Sequence, residues 1–252
     1  INDRDMEGYE EFRRDYAKNT KRIRNRYKQH YKTSVALATL KGEINYFRQF
    51  LRWSVMRGFY KGGAHEWRYK TIGKIGNRRE AFSLEQYRTL VRYMRTIQYI
   101  NKGKRGDKRV VRHRQMLRCY ILFLCNTGLR VGECRHLRHR DITFTTNRLG
   151  EKVCVIQLDQ TLSKVNRGST RSATVIGRYT AWRALERFRE YLDSIGEETT
   201  GDRYIFCNSQ GNVIQDFREG FTTVIKEAEV ERDKFGKKFV PYSCRHTYIT
   251  FR

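Results

Sequence analysis

The sequence predicts an α + β protein, mostly helical: a small all-α domain over residues 1–75, then a mixed α/β domain over 82–252 with a small antiparallel sheet. Three observations carry this reading. Helical patterns recur along the chain, at Thr33 to Arg57, from Ser83, at Met116 to Leu124, at Trp182 to Ile195 and at Phe217 to Ala228. Strand-like sequence occupies two short stretches, Lys152 to Asp159 and Arg171 to Ile176, and Val165-Asn166-Arg167-Gly168 between them supplies hairpin chemistry. Between the two domains, Gly62 to Glu80 mixes glycine and charge with little periodicity and reads as a linker.

Taken in order, Leu37, Leu40, Ile44, Phe47, Leu51 and Val55 fall on one face of a helix spanning Thr33 to Arg57, which Gly58 closes as a left-handed residue. Lys41, Asn45, Arg48 and Arg52 form a basic stripe beside it, either a solvated face or a surface for a nucleic-acid groove. The run holding Lys21, Arg22, Arg24 and Arg26 is read as phosphate contacts, with a solvated loop or helix end as the alternative. Ser83 and Gln86 form a capping box, flanked by Phe82 and Tyr87 as a hydrophobic staple. Asn101 to Arg114 reads as a basic loop leading into a buried helix over Met116 to Leu124. Trp182 to Ile195 and Phe217 to Ala228 are helical, and Tyr204 to Cys207 is a short buried run.

Lys and Arg total 53 against 27 Asp and Glu, a net charge of +26. Such an imbalance costs self-repulsion and favours a polyanionic partner, nucleic acid before a ribosomal or membrane surface. The six cysteines show no C-x-x-C pair and sit mostly in apolar runs, which fits packed thiols in a reducing intracellular setting. No zinc ligand set or signal peptide is visible, and no apolar stretch approaches the ~18–20 residues that span a bilayer.

Chemistry concentrates in two boxes, Thr127-Gly128-Leu129-Arg130-Val131-Gly132-Glu133 and Tyr242-Ser243-Cys244-Arg245-His246-Thr247. Val131, Cys134 and Leu137 face inward at steps of three while Arg130 and Glu133 make an i, i+3 pair on the other face. A guanidinium suits phosphate because its planar fork holds two oxygens and keeps its charge, and Glu133 can orient that fork. A surface Arg-Glu pair of little energetic weight is the alternative.

These boxes resemble those of the tyrosine recombinases, or phage-type integrases, which cut and rejoin DNA through two phosphate-gripping arginines and an attacking tyrosine. The resemblance implies that residues 1–75 are a core-binding domain and 82–252 a catalytic domain. It further implies that Arg130 and Arg245 clamp the scissile phosphate, with Glu133 and His246 in support. Lys164, on the near shoulder of the turn, matches the hairpin lysine that protonates the leaving 5′-oxygen, with Arg167 and Arg171 as neighbouring alternatives and Arg167 also a DNA contact. Tyr242 stands where the family pattern has a histidine; a phenol is a poor base at neutral pH but can donate a hydrogen bond to phosphate, or it can simply pack on Pro241.

The expected activity is metal- and ATP-independent site-specific recombination through a 3′-phosphotyrosine, with no cofactor, in a virus or mobile element of a prokaryotic host. The expected location is its cytoplasm or nucleoid. Double-stranded DNA is the expected partner, with a homo-tetramer on paired sites for the full-length protein and a monomer for this chain. Arg252 falls short of where the resemblance places the nucleophile, so this chain alone is expected not to cleave. The rivals are a non-catalytic DNA-binding protein and a type IB topoisomerase-like enzyme.

Overall fold

The computed structural model describes residues 8–9, 11–13, 15, 35, 37–61, 80–101, 107–158 and 173–251. It divides into two compact units, Ile1–Gly76 and Asn77–Arg252.

In the first unit, helix α1 (Leu37–Met56) buries Leu40, Ile44 and Leu51, three members of the apolar stripe. Gly58 follows with φ +73°, and the Ser54 carbonyl accepts N–H bonds from Phe59 and Tyr60, which closes the helix end. On the flank of α1, the Glu43 carboxylate receives the Arg13 fork at 2.9 and 3.1 Å and the Tyr9 hydroxyl at 3.0 Å. Asn45 and Arg52 of the basic stripe are exposed and Lys41 is half-buried. Arg48 is drawn partly inward, and its Nε is buried without a partner among the described residues.

The second unit holds α2 (Leu84–Tyr93), α3 (Ile97–Asn101), α4 (Lys108–Thr127), α5 (Val131–Arg135), β1 (Ile142–Thr146), β2 (Lys152–Leu158), β3 (Ala173–Gly177), α6 (Tyr179–Ser194), α7 (Arg218–Glu227) and α8 (Pro241–Thr250). The capping box that starts α2 is formed: Ser83 Oγ accepts the Gln86 N–H at 3.1 Å and Gln86 Oε1 accepts the Ser83 N–H at 3.0 Å. Phe82 and Tyr87 each find a ring partner elsewhere, Phe82 on Phe239 at 4.2 Å and Tyr87 edge-on to Phe251 at 5.9 Å.

Helix α4 is the core of this unit, with every residue from Cys119 to Thr127 buried. It starts earlier than the sequence suggests: Asp107 accepts the N–H of Arg109 at 2.9 Å, so residues read as the end of a basic loop are helical. Helix α6 runs antiparallel against it, since the Arg178 N–H reaches the Asn126 carbonyl at one end. At the other end the Arg112 fork holds Glu197, with Nη2 to Oε2 at 2.8 Å. The strands form one antiparallel sheet in the order β1-β2-β3, with Ile142 opposite Ile156 and Ile156 opposite Val175. Strand β1 has no counterpart in the sequence reading. Gly177 ends β3 where any Cβ would strike Cys154 and crowd Thr127, so only glycine lets this strand end lie so close to α4.

Candidate active site

The first box is built on the C-terminus of α4. Thr127 turns its hydroxyl back to the Phe123 carbonyl at 2.8 Å, and Gly128 takes the left-handed conformation at φ +67° as the C-cap. Leu129 is buried and fixes the turn to the core. Arg130 then caps α5. The buried Glu133 carboxylate accepts the Arg130 backbone N–H at 2.9 Å through Oε2 and the guanidinium Nη1–H at 2.7 Å through Oε1. One carboxylate thus holds both ends of Arg130, while the guanidinium remains about one third exposed, at 34%.

The second box is the helix α8, which Pro241 begins at its first position. Ser243, Cys244 and Thr247 form its buried face. Thr247 Oγ1 accepts the Phe82 N–H at 3.0 Å, which ties α8 to the start of α2, and Cys244 abuts Cys125 of α4. Arg245 leaves the edge of this face and its Nη1 donates to the Gly128 carbonyl. Two arginines separated by more than a hundred residues therefore meet on one three-residue turn. Arg245 has no carboxylate partner among the described residues, so four of a guanidinium's five N–H donors stay available to an anion.

Further along α8, the Tyr248 ring lies against Gly128 and under the Arg178 guanidinium, 5.0 Å from its centroid. Arg178 Nη2 also donates to the Phe251 carbonyl at 3.0 Å, which fastens the end of α8 to the start of α6. Neither Arg178 nor Tyr248 stands out in the sequence as part of this arrangement. Tyr248 follows Arg245 by three residues and so shares its helix face, a signal that was present; Arg178 has no local signal. Tyr242 is 42% exposed and meets His246 edge-on at 5.0 Å, one helical turn away on the same face. Lys164, Arg167, Arg171, Lys21, Arg22, Arg24 and Arg26 lie outside the described residues.

All six cysteines are buried and unpaired. Burial pushes the thiols of Cys119, Cys125, Cys134 and Cys154 up from their usual range, which keeps them protonated and unreactive. Among the described residues no group of three or more His, Cys, Asp or Glu is placed to hold a metal, and no helix is long and apolar enough to cross a membrane.

The sequence pattern of the phage integrase family matches residues 85–250, well over half of the chain and inclusive of both arginine boxes. This chain belongs to the phage integrase family. Among solved structures, the integrase of the transposon Tn1549 in complex with a circular intermediate DNA superposes on this integrase-family chain with a TM-score of 0.57 at 13% identity, over 86% of this chain and 67% of the other. That likeness is one of fold. XerH recombinase bound to its difH substrate matches with a TM-score of 0.47 at 18% identity, over 68% of this chain and 42% of its own. XerA recombinase matches with 0.44 at 20% identity, over 70% and 50%. This family member thus spans half or less of those two recombinases. No curated protein sequence matches it.

Proposed function

We propose that this chain is the phosphate-gripping portion of a site-specific DNA recombinase. The observation that carries the reading is the shared turn: Arg245 rests on the Gly128 carbonyl, two residues before an Arg130 whose fork Glu133 orients. On this reading duplex DNA places its scissile phosphate between the two guanidiniums, which offset the charge that grows on the non-bridging oxygens at the pentacoordinate stage. A tyrosine oxygen attacks phosphorus, the bond to the 5′-oxygen breaks, and Lys164 supplies the proton to that leaving oxygen. The 3′-phosphotyrosine keeps the bond energy, and attack by a 5′-hydroxyl reverses the step without ATP. Tyr242 and His246 line the same helix edge as Arg245, and Tyr242 is a hydrogen-bond donor to the phosphate.

Charge stabilisation by fixed guanidiniums needs no metal, so cleavage is expected to persist in EDTA. In any form of the protein that cleaves DNA, Arg130→Lys or Arg245→Lys should lower the cleavage rate by about 10²–10³, with most DNA binding retained, because a point charge replaces a two-toothed grip that matters most in the transition state. Equal losses of binding and cleavage would make the arginines ordinary DNA contacts. Tyr248 is not expected to form a covalent DNA adduct with a nicked suicide substrate, because its ring is pinned between Gly128 and Arg178. A protease-sensitive shifted band on a denaturing gel would assign the attack to a resident tyrosine.

A further inference from the structure

A second cationic site lies between α4 and α6. A cleft of about 160 Å³ opens there, lined by Arg95, Gln115, Arg118, Thr180, Arg183 and Arg187. Gln115 and Arg118 are one turn apart on α4, and Thr180, Arg183 and Arg187 follow at steps of three and four on α6, so the two antiparallel helices turn these groups toward one groove. The end of α2 brings in Arg95. Neither Arg130 nor Arg245 lines it.

The four arginines differ in their partners. Arg183 is neutralised within its own helix by Glu186 and, at 3.4 Å, by Glu190. Arg95, Arg118 and Arg187 have no side-chain hydrogen bond or ion pair among the described residues. Arg118 stands half-buried beside the other two, and burial together with the charges of Arg187 and Arg95 pulls its proton affinity below the usual arginine range. Arg118 keeps its charge half-buried beside the exposed Arg95 and Arg187, and an anion among the three would offset that repulsion. The walls supply what such an anion needs, guanidinium forks for a pair of oxygens each, with the Gln115 amide and the Thr180 hydroxyl for single hydrogen bonds.

We propose that this cleft binds a phosphate group, as a site separate from the arginine pair of the candidate active site. Its ligand is a multiply bonded tetrahedral oxyanion, carried either by the DNA backbone or by a free phosphorylated molecule. The inference does not depend on the recombinase reading, since Arg130 and Arg245 take no part in it.

Pyrophosphate is the probe, titrated calorimetrically into the 252-residue chain at low salt. The cleft is expected to bind one pyrophosphate, weakened at least about tenfold by Arg118→Gln and by Arg187→Gln, and this event should persist when Arg130→Lys/Arg245→Lys weakens the separate binding expected at the arginine pair. Arg187 is exposed, so its substitution leaves the fold intact even if the half-buried Arg118 proves sensitive, and a thermal melt of each variant checks this. Absence of binding, indifference to both glutamine variants, or loss of all binding with the Arg130/Arg245 pair would overturn the site. The salt dependence of DNA binding then separates the two sources. If the phosphate belongs to DNA, Arg118→Gln/Arg187→Gln should flatten the log-log slope by about 1, the share of one phosphate. If it belongs to a free molecule, the slope stays while pyrophosphate binding is lost.

Discussion

Gly128 is the residue on which both arginines depend, and it works by having no side chain. Its φ of +67° is strained for any L residue, and a Cβ there would run into the Tyr248 ring. Its carbonyl receives Arg245, and its turn launches Arg130 into the α5 cap position. Gly128→Ala should therefore destabilise the second unit by about 1–3 kcal/mol from backbone strain alone, with more from the displaced tyrosine. Urea denaturation of Gly128→Ala, Tyr248→Ala and the double variant measures the two parts: the alanine penalty at Gly128 should shrink once Tyr248 is truncated. An unchanged penalty would show that the ring moves aside freely. At this scale the first box was readable, because Thr127, Gly128, Arg130 and Glu133 act through local spacings. Tyr248 showed only its helix face, three residues after Arg245, and Arg178 showed nothing, because their meeting requires α6 and α8 to be packed first.

Among the elements, the join between α5 and β1 carries a buried imidazole. His139 lies in a short 3₁₀ turn, its Nδ1 accepting from Arg189 Nε of α6 at 3.1 Å, with Nε2 buried and unpartnered among the described residues. Burial first, then the charges of Arg189 and Arg203, hold its pKa down to about 4 against an ordinary 6.5, while Asp193 pulls weakly the other way. The folded protein thus keeps this ring neutral where the unfolded chain would protonate it. Stability from this group is whole above about pH 6.5 and drains away as pH falls toward 4, a loss on the order of 3 kcal/mol. His139→Gln should flatten the acid-side fall in urea midpoint between pH 6.5 and 4.5; parallel curves for the two proteins would remove His139 as the cause. The elements themselves were unevenly legible. The α2 cap and the α4 core showed in the sequence because caps and buried runs are local. The first turns of α4 were hidden by their arginines, and β1, with Thr143, Thr145 and Thr146 exposed, has too few buried residues to announce a strand before β2 pairs with it.

At the scale of the whole molecule, the net charge of +26 has to be reconciled with a folded chain in which several carboxylates are already engaged. Glu133, Glu197 and Glu43 each hold arginines of this chain, so their charge is spent on structure and the excess cations remain for a partner. The sequence disclosed the sign of that partner but not which cations are spent and which are spare, because Arg112 with Glu197 and Arg118 without an acid look alike before folding. If duplex DNA is the partner and six or more of the spare cations meet backbone phosphates, the log-log salt slope of binding should be about −5 or steeper. Fluorescence anisotropy with a labelled duplex, stepped from low to physiological salt, gives that slope directly. A slope near zero would mean that the excess charge faces something other than a nucleic acid, and the recombinase reading would lose its substrate.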